Sequence, residues 1–384
     1  MTGAAAAAEA LKQGDTAAAL QLLQSDVRNR PAESALRVFL FQLLCVLGQW
    51  DRALNQLKVA SDLDAGALAM AQTYREAIRC EAVRAAVFAG STSPMIFGEP
   101  DQWLALLIES MLVQGRGESA QAADLRARAF DDAPASAGTI DGRPFAWIAD
   151  ADTRLGPVLE AVINGRYYWV PFARLSRVEF EAPTDLRDVV WMPAHLQFQN
   201  GGEVVALVPT RYPGTETSSD DALRLARKTI WQEVGEDAHH GVGQRVLATD
   251  ADETPLMDVR SITLEPALDD LHRAGAVRQH REHFGGVDAL RFRHADQHLH
   301  EHRVGRLAER IGHVERVVPQ RVPQRAHRRL GVIRATDIGA HADLDHHSFH
   351  RHLLFLRLAT MISRKGVKCP GAAPPIRASC RTDM

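Results

Sequence analysis

The feature of this chain that most constrains its fold is a recurrence with a period of 34 residues near its N-terminus. Four positions are repeated at that spacing, namely Gly14, Ala19, Leu20 and Leu23 followed by Gly48, Ala53, Leu54 and Leu57. Glycine ends a helix readily because it tolerates the left-handed conformation. Small alanines let two helices pack closely. The pattern therefore predicts stacked helical hairpins.

A 34-residue period of this kind is typical of tetratricopeptide-like (TPR-like) hairpins. A weaker third copy begins at Gly117, with Ala122 and Ala129 at the small positions. Any antiparallel helical domain can show a few matches at this spacing, and that alternative stays open. We predict a TPR-like all-helical domain over residues 1–134, of a kind that usually presents a groove to a peptide or helix.

The pattern changes after Asp141-Gly142 to short apolar and aromatic runs separated by turns. This pattern predicts a strand-rich α+β module, barrel-like in part, over residues 135–266. Asn164-Gly165 signals a turn, and Asn200-Gly201-Gly202 is a strong hairpin signal. Two helices are expected within the module, over residues 152–163 and 220–234. The predicted strands are residues 145–148, 166–171, 175–181, 189–192, 196–199, 203–208, 244–249 and 256–264.

Composition changes abruptly near Pro266. Residues 1–266 contain 24 Lys and Arg against 36 Asp and Glu, whereas residues 267–384 contain 21 against 12. This second stretch also holds 14 of the 17 histidines and lacks Trp and Tyr. Three interpretations compete: a His-rich metal-binding extension, a basic nucleic-acid-binding arm, and out-of-frame or read-through translation of GC-rich DNA. We favour the third, which makes residues 267–384 a disordered and dispensable tail.

Candidate catalytic groups are few. Asp150, Asp152 and Arg154 form a tight cluster, for which capping and a salt bridge are favoured over metal binding. His195 has no serine or cysteine partner in a recognised motif. The glycine-rich segment 241–245 lacks the third glycine of a phosphate-binding loop and favours a turn before a strand. We therefore predict no enzyme, no metal and no cofactor. The rival hypothesis is a hydrolase that uses Asp150, Asp152 and His195.

Cys45 and Cys80 occupy apolar helical patterns, which predicts buried free thiols in a reducing, cytoplasmic setting. No apolar run is long enough to span a membrane, and neither a membrane nor a nucleic acid is expected as a partner. Aromatic and arginine side chains are common interface anchors. Core filling is an equally good interpretation of them. The candidate partner-binding residues of this type are Arg154, Arg166, Tyr168, Trp169, Trp191, Arg211, Tyr212 and Trp231.

Several strings of the middle module resemble the ImpE family, also called TagJ. They are DGRPFAWIADADTRLGP at 141–157, NGRYYWVP at 164–171, DLRD at 185–188 with Trp191, PTRYP at 209–213 and GQR at 243–245. The resemblance covers residues 4–264. Members of the family, by contrast, end soon after the segment that matches residues 256–264.

The resemblance implies an accessory protein of bacterial type VI secretion. It implies binding to the N-terminal helix of the small subunit of the contractile sheath and, through it, an influence on sheath handling by the ClpV ATPase. No catalytic residues are ascribed to the family. A generic TPR-like adaptor with an unrelated partner is the alternative.

Overall fold

A computed structural model describes residues 3–97, 100–235 and 238–266, and the predicted tail over 267–384 lies outside them. Helices come first in the chain. They are α1 (Gly3–Lys12), α2 (Thr16–Asn29), α3 (Ser34–Val46), α4 (Trp50–Leu63), α5 (Leu68–Phe88), α6 (Gln102–Gly115), α7 (Ser119–Asp132) and the short α8 (Asp221–Arg224).

Strands follow the helices, apart from one short strand between α5 and α6. They are β1 (Met95–Ile96), β2 (Gly138–Ile140), β3 (Arg143–Phe145), β4 (Ile148–Asp150), β5 (Val158–Ile163), β6 (Arg166–Pro171), β7 (Leu175–Phe180), β8 (Trp191–Phe198), β9 (Glu203–Pro209), β10 (Thr229–Gly235), β11 (Ala238–Gly243), β12 (Val246–Thr249), β13 (Glu253–Pro255) and β14 (Ser261–Leu264).

The predicted repeat corresponds to two helical hairpins, α1–α2 and α3–α4. Gly14 and Gly48 occupy equivalent turns with φ of +83° and +64°, which side chains other than glycine rarely adopt. Ala19 and Ala53 are completely buried where the helices meet, as are Leu23 and Leu57. The third hairpin, α6–α7, has its turn at Gly117. The prediction of helical hairpins at the front of the chain is confirmed.

The main sheet of the described residues has nine strands in the order β1-β6-β5-β9-β8-β7-β14-β2-β3. Only β1 and β6 pair in parallel within it. Two smaller sheets accompany it, β10-β11 and β13-β12-β4. The Asn200–Gly202 turn joins β8 to β9 as a hairpin, as predicted. The predicted turn at Asn164-Gly165 joins β5 to β6, where a helix was expected to precede it. The main sheet is open, with β1 and β3 at its edges, so the expectation of a barrel-like module is corrected.

Of the two helices predicted inside the module, the first is wrong and the second is much shorter than predicted. Residues 152–157 form turns, in which Gly156 has φ of +54°, and β5 follows with every residue buried. A strand buried on both faces shows no polar alternation, so its sequence is easily mistaken for a helix. The second predicted helix stops at Arg224 because Ala226 is left-handed at φ +54°, and β10 then pairs with β11.

Helices and strands share one hydrophobic core. The ring of Trp191 on β8 lies 6.0 Å from that of Trp50 and 5.9 Å from that of Tyr74, measured between centroids. Phe88 at the end of α5 contacts Trp169 on β6 with a 6.2 Å separation. The helical layer is thereby packed directly on the main sheet. None of the helices in the described residues is long and apolar enough to cross a membrane.

Candidate partner-binding site

A buried group of charges lies where α5 packs on the main sheet, and we call it the junction cluster: Arg84, Asp150, Glu160 and Arg245. Arg84 donates from Nε to Glu160 Oε1 at 2.7 Å and from Nη2 to Oε2 at 3.1 Å. Arg245 forms ion pairs with both Asp150 and Glu160. All four side chains are at most 6% exposed. Such pairs are stable only when their remaining polar atoms are also bonded.

Aromatic residues complete those bonds. Tyr167 donates its hydroxyl to Glu160 and accepts from Trp169 Nε1 at 2.8 Å. Tyr212 donates its hydroxyl to Asp150 at 3.1 Å. Trp191 donates from Nε1 to Glu81 at 2.7 Å. The indole and phenol groups of this module therefore act as hydrogen-bond partners inside the core.

The two acids of the junction cluster have opposite pKa shifts. Burial raises the pKa of Asp150 to about 6, only partly offset by Arg245. Burial would also raise the pKa of Glu160, but Arg84 and Arg245 outweigh it and lower that pKa to about 2. Glu160 has two arginine partners, whereas Asp150 has one and lies close to the carboxylate of Asp152. The number of cationic neighbours decides the direction.

Asp152 organises the turn that precedes β5. Its carboxylate accepts from Arg154 Nε at 2.8 Å and from the Gly241 backbone N–H at 2.8 Å. The Arg154 guanidinium also lies over the Phe88 ring, 4.9 Å from its centroid. The salt bridge predicted for this acidic cluster is confirmed. The predicted capping role is wrong, because turns and then β5 stand where the capped helix was expected.

His195 lies elsewhere. It stands on β8 with its side chain 43% exposed, and its ring nitrogen is 3.6 Å from Glu203. The described contacts of Asp150 and Asp152 are with arginines, tyrosine and backbone groups, so the three residues of the hydrolase hypothesis are not assembled into one site. Among the described residues, no cluster of His, Cys, Asp and Glu could hold a metal ion.

The glycine-rich segment has a packing role. Gly241 and Gly243 belong to β11, and a Cβ placed on Gly241 would lie 2.2 Å from the Tyr212 ring. Cys45 and Cys80 are buried free thiols, as predicted. Burial raises the pKa of the Cys80 thiol to about 12.

Five of the eight candidate partner-binding residues are buried, and three are partly exposed. The buried ones are Tyr168, Trp169, Trp191, Arg211 and Tyr212, and the partly exposed ones are Arg154, Arg166 and Trp231. Most of them surround the junction cluster, whereas Trp231 packs on Tyr212 from β10 at 5.6 Å between ring centroids. A role in partner binding stays a prediction for all eight.

Two arginines bind equivalent points of the repeat. Arg227 donates to the carbonyl oxygens of Leu11 and Lys12 at 2.6 and 3.0 Å. Arg211 donates to those of Val46 and Cys45 at 2.9 and 3.5 Å. Leu11 and Cys45 are 34 residues apart, as are Lys12 and Val46. The C-terminal ends of α1 and α3 are thus held by cations, which favour that end of the helix dipole.

Sequence reasoning missed Arg84, Glu160 and Arg227. Arg84 and Glu160 are 76 residues apart in the sequence. The available signal was that each is a charged residue among apolar neighbours. Arg245 was noted within the string at 243–245 but not as an ionic partner.

A surface groove separates α4 from α5. It has a volume of about 560 Å³ and is lined by residues 48–52 with Leu54, Ile78, Arg79 and Ala82. Val83, which follows Ala82 on α5, is 45% exposed. Exposed apolar groups beside a groove are characteristic of protein contact sites.

These observations define a class of protein in which a layer of helical hairpins packs on an open β-sheet. Among the described residues, buried ion pairs join the helices to the strands. The family model described as ImpE protein matches residues 142–263. A Pseudomonas aeruginosa protein named type VI secretion system accessory component TagJ is 54% identical over 262 residues, covering 68% of this chain and 91% of the relative. This chain belongs to the ImpE/TagJ family of type VI secretion.

A solved structure shares the fold. The crystal structure of a Vibrio parahaemolyticus protein matches with a TM-score of 0.62 at 25% identity and covers 68% of this chain and 98% of its own.

Proposed function

We propose that this chain is a non-enzymatic, cytoplasmic accessory protein of type VI secretion that binds the N-terminal helix of the small sheath subunit. Through that contact it modulates handling of the sheath by the ClpV ATPase. The observation that carries the proposal is the 54% identity to the TagJ accessory component across 91% of that protein.

The α4–α5 groove is the surface we assign to the partner helix. It lies between the second TPR-like hairpin and the long helix that follows, where such arrays commonly accept a peptide. Ile78 provides an apolar floor, and Asp51, Arg52 and Arg79 provide polar edges. An amphipathic helix would place its apolar face against this floor. Arg166 and Trp231 remain candidate contacts outside the groove.

The test is a pull-down of the full-length chain with the isolated N-terminal helix of the small sheath subunit. We expect Ala82→Glu, which places a charge at an exposed position that lines the groove, to weaken binding about tenfold, as the loss of an apolar contact of roughly 1.4 kcal/mol does. Val205→Glu is the matched control, because Val205 is 63% exposed on β9. Failure of the wild-type chain to bind at tens of micromolar would contradict the proposal.

A hydrolase is the less favoured alternative, because His195 is exposed and paired with Glu203. A generic TPR-like adaptor is a closer alternative. This alternative predicts that the sheath helix does not bind and that an unrelated protein binds in the same groove.

A further inference from the structure

A second cleft lies between the end of α7 and the segment 147–157. Its walls are mainly apolar and include Phe130, Ala133, Trp147, Ile148 and Pro157. The cavity volume is about 60 Å³. Because one water needs about 10–15 Å³ on this measure, the space suits a single large side chain and is too small for a cofactor.

A buried hydroxyl faces this apolar space. Ser136 lines the cleft, is 5% exposed, and its Oγ has no hydrogen-bond partner in the part of the chain that the structure describes. Buried polar atoms are nearly always bonded, and the Ser136 hydroxyl is therefore available to donate to a polar atom that enters the cleft.

An arginine lies on the same face of α7. Arg126 precedes Phe130 by four residues and Ala133 by seven, which places the three on one side of the helix. Arg126 is 9% exposed and makes no hydrogen bond or ion pair within the described residues. Its charge interacts through space with Asp152, the neighbour of the cleft residue Thr153. That carboxylate is already bonded to Arg154 and Gly241.

We propose that this cleft binds a partner polypeptide through one large apolar side chain and an adjacent carboxylate. The apolar group fills the space between Phe130 and Trp147, Ser136 donates to the ligand, and Arg126 binds the carboxylate. A monoanion is favoured over a phosphate dianion, since Asp150 and Asp152 both lie nearby. This site is separate from the α4–α5 groove and does not depend on the identity of the sheath partner.

The first probe is 4-phenylbutyrate, which combines an aromatic group and a carboxylate, titrated into the full-length protein by ligand-observed NMR. A ligand of this size in a good pocket is expected to bind with a dissociation constant of about 2 mM. The uncharged 4-phenylbutanamide should bind at least about fivefold more weakly, because it cannot pair with Arg126. This comparison uses only the wild-type chain and so does not depend on any variant folding.

Arg126→Gln should reduce 4-phenylbutyrate binding to the level of the amide. Arg128→Gln is the matched control, because Arg128 lies on the same helix but is 55% exposed beside Asp124. Absence of saturable binding, or equal binding of acid and amide, would overturn the site.

A second probe, the acetylated and amidated dipeptide Phe-Glu, tests the polypeptide assignment. Binding of 4-phenylbutyrate without binding of this dipeptide would contradict a polypeptide occupant. Neither probe contains sheath sequence. The outcome of these titrations therefore does not depend on whether the sheath helix binds in the pull-down.

Discussion

Glu160 shows how a single buried acid decides the energetics at the junction of helices and sheet. It is completely buried on a central strand and yet ionised, because two arginines and one tyrosine donate to it. Removing one member of such a group leaves uncompensated charge, which typically costs about 3–5 kcal/mol. Because Arg84 belongs to α5 and Glu160 to β5, loss of either partner would be costly for the packing of that helix on the sheet.

Glu160→Gln should change how stability depends on pH. A pKa of about 2 in the folded state, below the ordinary value of 4.5, stabilises the fold above pH 4.5, and this stability is lost as the pH falls through 2. We expect about 2 kcal/mol of unfolding free energy to be lost between pH 4 and 2 in the wild type. Asp150 opposes this trend only at higher pH, between 3.8 and 6.

Urea unfolding at stepped pH would measure the effect. The variant should lack most of this acid-dependent loss, whereas Glu203→Gln, at an exposed position beside His195, should retain it. If the unfolding free energies of the wild type and of Glu160→Gln fell in parallel as the pH was lowered, the ion pairs of Glu160 would not cause the loss of stability in acid.

At the scale of elements, the two hairpins are attached by different numbers of bonds. Arg211 is buried and bonds the end of α3 as well as the Arg224 carbonyl. Arg227 is only partly buried and bonds the end of α1. Hydrogen bonds from charged groups contribute about 1.5–3 kcal/mol each when buried. The second hairpin is therefore the more firmly held.

Arg211→Met should lower the unfolding free energy by about 3 kcal/mol, and Arg227→Met by about 1 kcal/mol. Arg227→Met should also speed amide hydrogen exchange in α1 while leaving α3 unchanged, because it releases only the first hairpin. Thermal unfolding and exchange mass spectrometry measure both effects. Equal destabilisation by the two variants, with no local change in α1, would refute this assignment.

The sequence predicted elements better where the signal was local. Gly14 and Gly48 marked their turns, and Asn200–Gly202 marked a hairpin, because turn chemistry depends on neighbouring residues. The strand at residues 158–163 was mistaken for a helix, since its pattern depends on burial by β6 and β9. Glu160 was invisible as an ionic centre because its partners lie far away in the sequence.

At the scale of the whole molecule, the core is continuous from α1 to β14. The last described residues belong to it: Leu264 pairs with Gly138, and the Glu265 backbone N–H donates to the Ala137 carbonyl. The relative that matches this chain does so over 262 residues. Residues 1–266 thus include the pairing of β14 with β2 and β7 inside the main sheet.

Deleting residues 267–384 should leave the melting temperature within about 3 °C of the full chain, which corresponds to roughly 1 kcal/mol at this size. The proposed binding of the sheath helix should also persist. Differential scanning calorimetry of the full chain and the 1–266 variant provides the comparison. A larger drop in melting temperature would mean that the deleted residues contribute to the core.

The paired arginine contacts at the ends of α1 and α3 have an evolutionary consequence. Repeat arrays commonly gain or lose whole units, because each unit contacts only its neighbours. Here each of the first two units is also bonded to its own arginine, Arg227 or Arg211, from a different part of the downstream chain. If a 34-residue unit were duplicated, the new unit would have no arginine of its own. If a unit were deleted, one arginine would lose the carbonyl oxygens to which it donates. Copy number in this lineage is therefore expected to be constant even where loop lengths drift.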